Sequence, residues 1–508
     1  MTMRKKLLTS AVILTLSSSI LAGCSQNTKT ESTTSTKVTE IVYNDLFREN
    51  EVMDVHIEIS EDDWKDILEN PLDEEYHSAN ITVGGTTLEN IGIRTKGFSS
   101  LQSVASSDSN RYSFRIKLDK YVDDQNLNGL DEFVLNNNFQ DPSYMREYLS
   151  YKALETLGVD VPQTAYSNVY INGELFGFYL AIESIDDSFI ERVTNNTSSA
   201  VRLYKADGES STLVDEASLK NFELKNGEDD SMANLKNLVS AINSIEDGNK
   251  GDIESIFDID SFLKSIAVNT VVGNYDSYSG SKAHNYFLLE EDGVFKYIPW
   301  DFNMAFGGFM EDNGASVTVS IDEPIYNVDS SKRPLIEKLL SVDEYKEKYY
   351  GYLKELVEYY DDFEKQVNDL ATLIKPYVEN DPTAFYTIEQ FEQNIVASDT
   401  DLSTVENKIK GNNPGTPPTN NSDEAPTLPE GMQLPNGEIP GTPPTNNSGE
   451  APAMPEGMQM PSVENNGEAS TNNGQKPNKG GGMNLSGNVV SIMDYLQQRI
   501  ESIKTQLK

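Results

Sequence analysis

Alternation of apolar and polar side chains predicts strands along the first half of the chain, and wider spacing predicts helices along the second. Val55-His56-Ile57-Glu58-Ile59 alternates as a half-buried strand, and Ser60 then caps a helix carrying Trp64, Ile67 and Leu68. Further strand-like runs cover residues 80–83, 91–96 and 112–118, and a helix is predicted over 143–157. Residues 167–171 and 176–182 flank Asn172-Gly173, a strong hairpin signal because both turn positions accept positive φ. Helices are predicted at 231–244, 259–275, 334–340 and 342–360. Among them lies one strand pair, 285–289 and 294–298, joined by Glu290-Glu291-Asp292-Gly293. Strands first and helices afterwards predict an α+β fold in two lobes.

The two ends of the chain read differently. Arg4, Lys5 and Lys6 precede an apolar run over 7–21 that is short for a membrane span and ends in Leu21-Ala22-Gly23-Cys24. These residues resemble a lipobox. That resemblance implies a signal peptide over 1–23, diacylation of the Cys24 thiol and an extracytoplasmic protein anchored to the cell membrane. Residues 24–40 then form a tether, and 41–410 the globular domain. Over 411–487 there is no aromatic residue, and the phrase 414–421 recurs at 440–447, so this segment reads as a disordered repeat insertion. Val489, Met493, Leu496, Ile500, Ile503 and Leu507 then line one face of a helix over 488–508. That face either starts a short coiled coil or, as its length favours, docks on the domain.

Charge and cysteine content narrow the classes. The chain has 82 acidic and 40 basic residues, a net charge of −42, which excludes nucleic acid as a natural partner. Cys24 is the single cysteine, so neither a disulfide nor a cysteine metal site is available.

Candidate chemistry is densest at Asn274-Tyr275-Asp276, His284-Asn285 and Trp300-Asp301-Phe302-Asn303. The predicted strand pair brings Asn285 and Asp301 to one end, beside the loop of Asp276. Two carboxylates and an amide there could hold a hard cation through oxygen while Asp276 accepts a proton. Turn capping by Asp276 and Asp301 is the plainer reading. Arg94-Thr95-Lys96-Gly97-Phe98-Ser99-Ser100 offers cations and hydroxyls after a strand, where a phosphate could rest. Arg115 and Lys117 share the polar face of the next strand, and Glu147 on the following helix could pair with Lys117. An ordinary surface lysine fits that position too. Asp124-x-Asn126-x-Asn128-Gly129 opens like a calcium loop, but its twelfth position is Leu135, so a plain turn is expected.

The chain resembles the CotH family, the spore-coat protein H kinases. Residues 93–100, 114–118, 135–147, 170–183 and 298–302 carry the resemblance, in the order the family has them. It implies an atypical protein-kinase-like fold, with a strand-rich N-lobe and a helical C-lobe, that binds ATP and Mg²⁺ or Mn²⁺. Asp276 is then similar to the catalytic-loop aspartate, and Asp301, with Asn285, to the metal ligands. Lys117 would hold the phosphates with Glu147 orienting it, Arg94, Ser99 and Ser100 would contact nucleotide, and Glu183 would sit near adenine. Asn285 stands nine residues after Asp276 rather than the usual five, and no G-x-G-x-x-G loop is present. The expected function is transfer of the ATP γ-phosphoryl group to Ser or Thr of a protein. A kinase-derived envelope or adhesion module without turnover, and a kinase acting on a non-protein polymer, are the alternatives.

Overall fold

The computed structural model describes residues 43–405, apart from 195, 197–200, 209, 230, 247, 310–313 and 399, together with 489–508. The expected signal peptide, Cys24, tether and repeat insertion lie outside the described residues.

Seven strands close into a barrel: β1 (Val52–Ile59), β2 (His77–Val83), β3 (Thr86–Lys96), β4 (Ser113–Lys117), β5 (Glu132–Asn136), β6 (Thr164–Ile171) and β7 (Glu174–Glu183). Their order is β1-β2-β3-β4-β5-β7-β6. Closure comes from parallel pairing of β1 with β6, Val52 opposite Tyr166 through Ile57 opposite Ile171. The alternation read in the sequence fills the interior, where Val55, Ile57, Ile81, Ile93, Phe114, Ile116 and Leu135 form one apolar core. Asn172 and Gly173 adopt φ 51° and 87°, as the β6–β7 turn requires. The Asn172 carboxamide oxygen also accepts from the Ile59 N–H at 2.9 Å, fastening the hairpin tip to β1.

The remaining strands form a four-stranded sheet of order β11-β10-β8-β9. The sequence pattern located β10 (Tyr286–Glu291) and β11 (Val294–Pro299) but not β8 (Arg202–Ala206) or β9 (Phe222–Asn226). These two are five residues each, too short for alternation to stand out.

The helices are α1 (Glu61–Glu69), α2 (Ser99–Ala105), α3 (Arg146–Thr156), α4 (Asp187–Thr194), α5 (Ala233–Asn243), α6 (Ile259–Val272), α7 (Pro334–Leu340), α8 (Asp343–Tyr359), α9 (Phe363–Glu379), α10 (Ile388–Asn394) and α11 (Ile492–Gln506). The central one, α6, is buried along nearly its whole length; Asp258 caps its start and Gly273, at φ 65°, ends it. With α3, α8 and α11 it contributes to a second and larger apolar core, which also takes up the outer faces of β6 and β7. Among the described residues no helix is long and apolar enough to cross a membrane. The architecture is thus mixed α/β: a closed barrel, a small sheet and a helical mass.

At Asp124–Gly129 the structure shows an Asx turn, the Gly129 N–H donating to the Asn126 side chain at 2.9 Å.

Candidate active site

The α6 helix delivers Asp276 to the site. Its left-handed cap at Gly273 turns the chain so that Asn274 is buried and its amide donates to the Asp301 carbonyl at 3.1 Å. Asp276 then meets the start of β10. His284 Nε2 lies 2.8 Å from Asp276 Oδ1, and the Asn285 amide donates to the Asp276 carbonyl at 2.7 Å. Asn285 uses its NH₂ on that loop, which leaves its amide oxygen for another partner. At the far end of the hairpin, the Trp300 N–H donates to the Asn285 carbonyl at 3.1 Å, so Asn285 and Asp301 share one end. Both residues have left-handed backbones, φ 57° and 61°, at the two edges of the strand pair. Asp276, Asn285 and Asp301 therefore converge, with His284 as an added member.

The opposite wall belongs to the barrel and α3, and here the pairing expected for Lys117 is corrected. The Lys117 ammonium contacts Asp119 at 2.9 Å and Glu132 at 3.8 Å, not Glu147. Glu147 instead accepts from the Asn136 amide at 2.6 Å and from the Phe302 N–H, and its surroundings contain Lys96 and Asp301. Strand register is the reason. Lys96 stands opposite Ser113 on β4, whereas Lys117 stands opposite Gly92, four residues further along β4 and about 13 Å away. Both cations lie on the same face, but only Lys96 is at the end where α3 begins.

Electrostatics tie the two walls together. Burial pushes the Lys96 ammonium down, while the Asp301 and Glu147 charges pull it up; Arg115 and Lys205 add repulsion. Burial and then the Asp301 charge push the Glu147 carboxyl up to about 8. Asp301 is itself raised by burial and by Asp276, against the pull of Lys96. The site thus concentrates acidic groups that resist sharing one space while all ionised.

Other expected contacts are committed elsewhere. Arg94 pairs with Glu74 and lies over the Tyr76 ring. The Glu183 carboxylate is fully buried and receives Tyr43, Arg192 and the Gln163 N–H, so its side chain is not open to adenine. Ser99 and Ser100 open α2 just past Phe98, three and four residues after Lys96. Gly97 is needed there, since its φ is 119° and a Cβ would meet Ser100 Oγ at 2.9 Å.

Lys96 is the candidate site residue that strand alternation alone does not single out; its position beside Gly97 is the available signal. Lys205 and Arg115, which share its electrostatic field, come from β8 and β4.

A divalent cation fits the donor set. Asp301, the Asn285 amide oxygen and the buried Asn303 Oδ1, which has no hydrogen-bond partner, are all hard oxygen donors near one point in the chain's path. Among the described residues no group of three His, Cys, Asp or Glu side chains is set to hold a metal, so amides would have to complete the shell. An open depression of about 680 Å³ lined by Asp45, Arg48, Asp54 and His56 contains none of these residues.

Inner spore coat protein H of Bacillus subtilis (strain 168) is 26% identical over 280 residues, 52% of this chain and 74% of that protein. A family model described as CotH kinase protein matches residues 93–407, from β3 through the helical half. The chain belongs to the CotH kinase protein family.

Proposed function

We propose that this chain is an ATP-dependent phosphotransferase that moves the γ-phosphoryl group to a Ser or Thr hydroxyl of a protein. The observation that carries the reading is the convergence of Asp276, Asn285 and Asp301, with Lys96 and the buried Glu147 in the same electrostatic field. The barrel with α3 and the helical mass around α6 correspond in this reading to the two lobes of a kinase. Asp276 accepts the proton of the attacking hydroxyl, His284 holds its carboxylate in place, and Lys96 replaces Lys117 as the cation on the phosphates. Attack forms a bond from the acceptor oxygen to γ-phosphorus and breaks the bond to the β–γ bridging oxygen, which leaves on ADP. Mg²⁺ or Mn²⁺ held by Asp301, Asn285 and Asn303 would neutralise the phosphate oxygens. Glu147 keeps Lys96 aimed at the site, and its own hydrogen bond from Phe302 ties that aim to the Asp301 loop.

We place the enzyme outside the cytoplasm, in the cell envelope, tethered by a lipid on Cys24. The basic start, apolar run and Cys24 support that placement, and the relative's printed name, a spore coat protein, agrees with it. Incubation of the full chain with labelled ATP, Mg²⁺ or Mn²⁺ and candidate proteins tests the activity. Label on Ser or Thr that disappears with Asp276→Ala supports it. No transfer and no nucleotide binding by folded protein refutes it.

A further inference from the structure

The family match ends at residue 407, yet α11 reaches the floor of the candidate site. Helix α11 buries Ile492, Met493, Leu496, Ile500 and Ile503, as any docked amphipathic helix would. Three of its contacts go further. First, the Tyr495 ring lies against two glycines at once. A Cβ on Gly273 would collide with the Tyr495 hydroxyl, and a Cβ on Gly307 would stand 2.7 Å from its ring. Both glycines have left-handed backbones, φ 65° and 72°, and Tyr495 Oη is held 2.9 Å from Ser316 Oγ. Gly273 lies three residues before Asp276, and Gly307 six after Asp301.

Second, the fully buried Arg499 donates to the Thr270 carbonyl at 3.0 Å, in the last turn of α6, and to the carbonyls of Val317 and Val319. A cation suits that end of a helix. Third, Arg146, also fully buried, joins the lead-in of α11 to the site. It donates to Val490 O at 2.5 Å, to Ala305 O at 2.7 Å and to Phe306 O at 2.6 Å. Its neighbour in sequence is Glu147. The two loops are also stitched directly, the Phe306 N–H donating to the Val272 carbonyl at 2.5 Å.

We infer that α11 is a positioning element of the active site, with Tyr495 as the wedge that sets the separation of the Asp276 and Asp301 loops. The inference rests on the phosphotransferase reading of that site. Tyr495 touches neither substrate nor metal; it acts by filling the space that the two glycines leave. Its bulk rather than its hydrogen bond to Ser316 carries the role: ring carbons face both glycines, the hydroxyl adds to the packing on Gly273, and Ser316 lies outside the two loops.

The test compares Tyr495→Ala with Tyr495→Phe in the full chain, well below the melting midpoint of each, with rates expressed per folded molecule. Tyr495→Ala is expected to lose about tenfold or more in kcat, with KM for ATP changed less than about threefold, and Tyr495→Phe to keep kcat within about threefold. Unchanged kcat per folded molecule in Tyr495→Ala, or an equal loss in both variants, overturns the wedge. Hydrogen exchange read by mass spectrometry separates this failure from failure of the kinase reading. If the wild-type chain transfers no phosphate, the kinase reading falls, and exchange alone judges the wedge. Faster exchange over 273–280 and 300–308 in Tyr495→Ala, absent in Tyr495→Phe, upholds it; identical exchange overturns it.

Discussion

Glu147 of α3 and Lys96 of β3 share one electrostatic site, and it extends to Asp301 on the far wall. Lys117, on the same barrel face, is occupied by Asp119 and Glu132. Lys96→Met should therefore lower kcat/KM for ATP by about 10²-fold, the scale of losing a phosphate-positioning group. Lys117→Met should change it by no more than about threefold, since a half-exposed pair contributes little. Steady-state kinetics on both variants decides between the two lysines, and the reverse ranking would return the role to Lys117.

The raised carboxyl of Glu147 predicts a pH dependence of known sign. Its native value of about 8 lies above the ordinary glutamate range, so the folded chain keeps this proton longer than the unfolded chain does. Stability from this group is in place at acid pH and is lost as pH rises through about 8. Activity should run the other way, because ionised Glu147 is the form proposed to aim Lys96. The acid limb of kcat/KM should sit near pH 8 at low metal and move to lower pH as Mg²⁺ cancels the Asp301 charge. Glu147→Gln should abolish both slopes, as thermal melts and rate profiles across pH would show.

Asp276 and Asp301 should fail differently. With Asp276 as the proposed proton acceptor, Asp276→Asn should lower kcat by about 10²–10⁴-fold with KM for ATP nearly unchanged. With Asp301 as a proposed metal ligand, Asp301→Asn replaces a charged donor by a neutral one, so the Mg²⁺ concentration needed for half-maximal rate should rise. Metal titrations of the two variants separate these roles; a shared metal phenotype would show that Asp276 is also a ligand.

How far the sequence could be read depended on whether the deciding force was local. The Asn172-Gly173 hairpin and the Ser60 cap were legible because turn chemistry and capping act within a few residues. The convergence of Asp276, Asn285 and Asp301 is legible because one short hairpin and the loop before it bring them together. Choosing Lys96 over Lys117 needed the register of β3 on β4, and both strands carry cations between apolar residues. Glu183 looked available because Tyr43 and Arg192, which occupy it, are 140 and nine residues away. Strand β8 is illegible for a related reason: Leu203 and Tyr204 are buried on opposite faces, in different apolar clusters, so no alternation marks it.

Arg111 gives a stability prediction remote from the chemistry. Its guanidinium and the Asp381 carboxylate are both fully excluded from solvent, 2.6 Å apart, and join the barrel to the segment after α9. Burial opposes the Arg111 charge, and Asp381 restores it. Arg111→Met should destabilise the fold by about 3–5 kcal/mol by stranding a buried carboxylate. Asp381→Asn should cost a similar amount, and the double variant clearly less than the sum, in denaturant melts.

The barrel closes through the parallel pairing of β1 with β6, so Val52 finds its partner only at Tyr166. A growing chain therefore carries β1 with one edge unsatisfied until β6 and its hairpin have followed. Such distant pairing makes formation of the barrel slow and leaves a sticky edge exposed meanwhile. A truncation that removes β6 is expected to leave that edge open and the shortened chain prone to aggregate.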